Sequence, residues 1–259
     1  MKANRDFLRC DHWQNFEDIE TDQRLEIPRP DVQKPYPEDA ELIELVAPDK
    51  LTIGDTALKE VVGSRKSQRL YSDEPITIEE LSFMLWATQG IREVISSDDV
   101  KYYYRTIPSG GNRHALETYL SVHNVTSLDP GLYRYLPLDH KLLVMRKDSK
   151  IAEQVNRATR DQTSTKDGKD FYFVRDSAVT FIWTTIPYRM EWRYHLAAHK
   201  MIAIEAGHAC QNLYLCCGAV GAGACAIGAF DRSAMDGVLG LDGGDEFSIY
   251  VASVGRILK

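Results

Sequence analysis

Three short stretches of this chain carry side chains and backbone suited to holding a polar, charged or flat ligand. The first is Ser64-Arg65-Lys66-Ser67-Gln68-Arg69-Leu70-Tyr71, with three cations and two hydroxyls inside six residues. Guanidiniums make bidentate, charge-assisted bonds to a phosphate, and serines add neutral ones. A solvated basic surface would have the same composition. The second is Arg105 to His114, RTIPSGGNRH. Ser109 and Asn112 offer donors and acceptors there, and two glycines expose amides to a polar ligand edge. The third is Lys200 to Phe230. An apolar helix carries Glu205, His208 and Asn212 on one face, and Gly218, Gly221, Gly223 and Gly228 follow among alanines. Such a glycine-rich loop lets backbone approach a flat group, and the small residues equally suit close helix packing.

The bulk properties narrow the partners. In 259 residues, 44% are hydrophobic and 27% charged, ordinary for a globular chain with ample core. A net charge of −7 argues against nucleic acid while leaving room for a local basic pocket. Five cysteines, an odd number without CxxC spacing, point to buried thiols in a reducing compartment rather than to disulfides or a metal site. The opening MKANRDFLRC has no apolar core, so a cytoplasmic protein without a signal peptide is expected. Glu205, His208, Gln211 and Asn212 interrupt the long apolar helix, so no membrane span is expected either.

The elements that must position these stretches follow from pattern. Residues 1–50 are polar, acidic and rich in proline at Pro28, Pro30, Pro35 and Pro37, which predicts an extended N-terminal arm on a surface. Residues 51–259 then form the folded domain. A short helix is predicted from about Asp55. Thr77-Ile78-Glu79-Glu80 is a capping box, with Ile76 and Leu81 as its staple and Gly90 as the stop. Residues 92–104 show no firm period. Strands are predicted over 117–123, 132–135, 141–146, 178–186 and 247–254, and a helix over 151–160. A long helix is expected from about Tyr188 through the central stretch, buried on most sides. Because strands and helices do not alternate as βαβ, the fold class is α+β with a mostly antiparallel sheet.

Together these stretches resemble the FMN-dependent nitroreductase superfamily, and within it the SagB-type, thiazole/oxazole-oxidase-like dehydrogenases. The matching motifs, in order, are SRKSQRLY, LSFMLWATQG, RTIPSGGNRHALETYL, PGLYRY, IEAGHACQNLYL, GACAIGAFD and SVGR. The resemblance implies an α+β sandwich, with helices flanking the sheet, that forms an intertwined homodimer with FMN at its interface. The proline-rich arm and the C-terminal strand are the candidates for intertwining. It implies that Arg65, Lys66, Ser67, Arg69 and Arg256 serve the FMN phosphate. Pro108, Ser109, Gly111 and Asn112 would lie along the ring and ribityl chain, and Ala226, Ile227, Gly228 and Ala229 would supply backbone to the ring.

The resemblance also implies ping-pong chemistry, in which NADH or NADPH gives hydride to flavin N5 and a second small molecule takes the electrons. Azoline oxidases of the SagB-type branch carry a Lys-Tyr pair as base, and the aligned pair here is Arg193-Tyr194. Arginine stays protonated near neutral pH. This departure favours reduction of a nitroaromatic, quinone or similar conjugated acceptor over azoline oxidation in peptide modification. A flavin-binding or docking module without turnover is the remaining alternative.

Overall fold

The computed structural model describes residues 2–97 and 100–258; Met1, Asp98, Asp99 and Lys259 lie outside the described residues. Its elements in chain order are α1 (Lys2–Arg9), β1 (Leu42–Glu44), α2 (Leu58–Ser64), α3 (Ile78–Gln89), β2 (Ile91–Ser97), β3 (Val100–Arg105), β4 (Leu116–Val122), β5 (Gly131–Leu136) and β6 (Lys141–Lys147). There follow α4 (Ile151–Ala158), β7 (Ser164–Lys166), β8 (Lys169–Phe171), β9 (Val179–Thr185), α5 (Tyr188–Tyr194), α6 (Ala198–Ala219), β10 (Ala222–Ile227), α7 (Arg232–Leu239) and β11 (Phe247–Arg256).

Seven strands form one sheet in the order β1-β6-β5-β4-β9-β11-β10, and every neighbouring pair is antiparallel. The expected α+β class is borne out. Strand β9, VTFIWTT, is buried throughout because helices cover both faces. Alternation along it sends Val179, Phe181 and Trp183 to a core shared with α3 and α6. Ile182 points the other way, to a second core with Ile151, Val155, Met235 and Leu239 of α4 and α7.

Helix α3 starts as its sequence predicts. Thr77 accepts from the Glu80 amide, and the Glu80 carboxylate accepts from the Thr77 amide at 2.8 Å. It stops at Gly90, but in an extended conformation (φ −64°, ψ 153°) rather than a left-handed cap. A side chain has no room at this stop, because a Cβ there would sit 2.7 Å from the Trp86 carbonyl oxygen.

Five expectations are corrected. Residues 92–104 contain a hairpin, β2–β3, whose outward side chains include Val94, Ile95 and Val100, so neither face alternates cleanly. The long helix from Tyr188 is two helices. His195 adopts φ 46°, ψ −132° and breaks the run between α5 and α6. Helix α6 is buried on one side only: Ala203, Ile204, Gly207, His208 and Gln211 are exposed. Residues 222–227 are an edge strand rather than a glycine loop, and β11 lies between β9 and β10 of its own chain rather than leaving it.

The N-terminal arm begins with helix α1, ahead of its prolines, and then crosses the surface of its own chain. The Lys34 amide donates to Glu117, Arg134 donates to the carbonyls of Lys34 and Pro35, and the Lys34 ammonium meets Glu246 at 2.6 Å. Strand β1 then joins the sheet edge beside β6. Because the capping box holds the N-terminus of α3, Thr77→Ala should cost about 1 kcal/mol. Equilibrium urea unfolding checks this through a lower midpoint at unchanged slope.

Candidate functional site

The loop Pro108–Asn112 is held from beneath by α6. The Gly110 amide donates to Glu205 Oε1 at 2.9 Å, and the Ser109 hydroxyl also bonds that carboxylate. Ser109 Oγ accepts from the His114 amide at 2.9 Å. Asn112 holds the hairpin, since its side-chain amide donates to the Tyr103 carbonyl and its oxygen accepts from the Tyr103 amide. The Ser109 and Asn112 side chains, read from sequence as ligand donors, are thus engaged in building the loop. Gly111 adopts φ +58° and carries Arg193 and Tyr194 against it; a Cβ there would lie 2.6 Å from the Tyr194 hydroxyl. The break at His195 places this pair, at the end of α5, over the loop. Trp13 and Phe16 of the N-terminal segment pack on the far side of Tyr194, at 5.7 and 6.2 Å between ring centroids.

A cavity of about 790 Å³ opens beside this loop. Pro108, Ser109, Gly111, Asn112 and Arg193 line it together with Arg92, Tyr102, Tyr104, Arg105 and His114. Arg105 is buried, donates to Gln89 and to the Val32 carbonyl, and burial lowers its pKa to about 10. Arg113, buried behind the loop, falls to about 9, first through desolvation and then through the charges of Arg29, Arg193 and Arg189. The His114 imidazole is held well below its usual range by burial and by Arg105, so it stays neutral. Burial raises the Glu205 carboxyl to about 7 despite its bonds to Ser109 and Gly110.

The basic motif lies elsewhere. Residues 64–70 run beside β10, where the Gln68 amide donates to the Ala224 carbonyl and the Gln68 side chain covers Gly223. Tyr214 of α6 organises this end: its hydroxyl bonds Ser67 at 2.9 Å and accepts from the Ala226 amide at 2.8 Å, and its ring lies under Arg65. Arg65, Lys66 and Arg69 are exposed, and none of them has a carboxylate partner among the described residues. Arg69 lies over Phe173 and reaches the Cys225 thiol. Ile227 is buried in the ladder opposite Val251, whereas Gly228 and Ala229 are exposed, with open space in front of Gly228. Arg256 is not free: it donates twice to Glu80, at 2.8 and 2.9 Å, and once to the Val220 carbonyl.

Helix α6 thus separates two half-sites. Glu205 grips one and Tyr214 the other, nine residues on, so they leave opposite faces about 14 Å apart along the axis. The glycine and serine motifs were legible in the chain. Tyr214 and Glu205 were not assigned a task, although an aromatic in a helix of small residues and a carboxylate in an apolar one were the available signals. Arg29 and Arg92 gave no local signal.

A family model for the nitroreductase family matches residues 62–256. A Methanocaldococcus jannaschii protein assigned as a nitroreductase is 26% identical over 217 residues, covering 84% of this chain and 98% of that one. A nitroreductase-type crystal structure from Ralstonia eutropha shares 25% identity with a TM-score of 0.64, over 88% of this chain and 95% of that one. A Desulfovibrio desulfuricans structure described as a nitroreductase in complex with FMN is 18% identical, with a TM-score of 0.50, over 79% of this chain and 88% of that one. The chain belongs to the nitroreductase family and is an FMN-type oxidoreductase. Among the described residues no helix is long and apolar enough to cross a membrane, and no group of three His, Cys, Asp or Glu is placed to hold a metal. All five cysteines are buried and free.

A carboxyl whose pKa is raised on folding, from 4.5 to about 7, makes the unfolded state release its proton first as pH rises. Its contribution to stability is therefore greatest below pH 4.5, declines up to about pH 7 and is level above that. Glu205→Gln keeps the acceptor for Gly110 without the charge. It should remove that slope and stabilise the protein at pH 8 by on the order of 3 kcal/mol. Urea midpoints of both proteins between pH 5 and 8 check this.

Proposed function

We propose that this protein is an NADH- or NADPH-dependent reductase of a small conjugated acceptor, such as a nitroaromatic or quinone, working as a homodimer of the SagB-type branch. The observation that carries the reading is the exposed run Arg65, Lys66 and Arg69, left without carboxylate partners among the described residues and lying beside β10, which leads to the open backbone at Gly228. A dianionic phosphate suits such a run, with Ser67 as a neutral donor. Residues 226–229 would then face the ring. The Ala226 amide is taken by Tyr214 and the Ala229 carbonyl by Gln162, so the exposed backbone of Gly228 is the group best placed to approach it. Arg256 would act by fixing Glu80 and the end of β10 rather than by touching phosphate.

FMN bound there supplies a two-electron carrier that serves two substrates in turn. The chain's own residues bind it, shape the cavity and hold protons. A guanidinium is a poor base near neutral pH, so the Arg193-Tyr194 pair is suited to donating a hydrogen bond over the Pro108–Asn112 loop. That supports reduction of an acceptor over the proton abstraction that azoline oxidation needs.

A second copy accounts for the separation of the half-sites. The exposed face of α6, with Ala203, Ile204 and Gly207, and the exposed Leu58 and Val62 of α2 offer an apolar surface for it. A two-fold mate would bring the loop of one subunit to the basic run of the other, giving two equivalent sites.

The purified protein should be yellow and bleach anaerobically with NADH or NADPH. A colourless protein that cannot be reconstituted with FMN would overturn the reading. One charge-assisted bond is worth about 1.5–3 kcal/mol, so Arg65→Ala should weaken FMN binding about tenfold or more, measured by flavin fluorescence titration. Unchanged affinity would remove Arg65 from the phosphate site.

A further inference from the structure

The cavity beside the Pro108–Asn112 loop has a charge that the rest of the chain does not. The protein is acidic overall, with a net charge of −7. Yet the described lining of this cavity contains Arg92, Arg105 and Arg193 and no Asp or Glu. Among the described residues, the nearby carboxylates are committed or weakened. Glu117 is buried against Arg189 at 2.6 Å. Glu205 lies under the loop, holding Gly110, and burial keeps it partly protonated near neutral pH. Glu93 meets Arg92 only at 3.9 Å on an exposed strand, a geometry that contributes little.

The guanidiniums themselves are short of partners. The Arg193 cation lies over the Tyr194 ring and pairs with no carboxylate among the described residues. Arg105 is 5% exposed, and its Nε has no hydrogen-bond partner. Burial first, and then the nearby Arg193 cation, lowers the pKa of Arg29 and of Arg113, so several cations gather on this side of the cavity. Around these cations stand flat and apolar groups, Tyr102, Tyr104, Ile107 and Pro108. A site with aromatic walls, three guanidiniums and no lining carboxylate suits a planar body with an anionic end.

We propose that this cavity binds the negatively charged end of the electron acceptor through Arg193 and Arg92, so that the acceptor is a conjugated carboxylate rather than a neutral quinone or nitroarene. The inference rests on the reductase reading for its electron source, and on this cavity alone for its charge preference.

The test compares 4-nitrobenzoate with 4-nitrobenzamide, a neutral molecule of nearly the same shape, using the full-length FMN-loaded protein at low ionic strength. The carboxylate should show a KM about tenfold lower or better, and added salt should narrow the gap. Arg193→Gln and Arg92→Gln should each reduce that ratio, and the double variant should bring it near one. Arg92→Lys, which keeps the charge, should retain most of the preference. Equal KM values in the parent protein would overturn the proposal, as would a preference that survives the double variant. So would a variant effect confined to NADPH relative to NADH, because the anion would then belong to the reductant. If the protein binds no FMN, the reductase reading falls, but calorimetry with the same two compounds still decides: selective binding of the carboxylate sustains the anion site, and equal or absent binding ends it.

Discussion

One helix, α6, sets the positions of both candidate regions, and it does so through two polar groups on its opposite faces, Glu205 and Tyr214. Near its N-terminal end the buried Glu205 carboxylate receives the Gly110 amide and so fixes a loop containing two glycines, whose backbone would otherwise be loose. Near its C-terminal end the Tyr214 hydroxyl joins Ser67 to the Ala226 amide, tying the basic run to β10. The helix can carry such loads because its other buried positions, among them Ile202, Ala206, Ala209 and Leu213, pack against the sheet. A carboxylate in that setting is tolerated only because backbone and hydroxyl donors meet it, and its raised pKa records the residual cost.

The electrostatics follow the same division. The basic run at residues 65–69 is exposed and flanked by open backbone, a place for a strongly hydrated anion such as phosphate. Beside the loop, Arg105 and Arg113 are buried, and burial lowers the pKa of each; Arg193 is half-buried and Arg92 exposed, so a smaller anionic group would meet cations at the mouth of the cavity. The acidic remainder of the surface, by contrast, disfavours large polyanions.

The sheet and its helices were readable because their signals are local. The capping box of α3, the β-branched run of β9 and the turn at Pro130-Gly131 each specify backbone within a few residues. The hairpin β2–β3 was missed because both of its faces carry exposed apolar and polar side chains, which erases the alternation that a half-buried strand displays. The break at His195 was missed for a different reason. It is a left-handed backbone at a non-glycine residue, held by the packing of the Arg193-Tyr194 pair on Gly111, and no neighbouring residue announces it.

The sequence by itself determined the antiparallel α+β class, the three ligand-suited stretches and their family. Those depend on periodicity and on residue types at short spacing, which a linear chain displays in full. Tertiary structure alone decided the tasks of the side chains: that Asn112 and Ser109 build their loop, that Arg256 is bound to Glu80, and that Arg92, Arg105 and Arg193 line one cavity with Arg29 and Arg113 close to Arg193. Charge accumulates in space, and residues up to 164 positions apart in the chain meet only when the sheet and α6 bring them there (from 29 to 193).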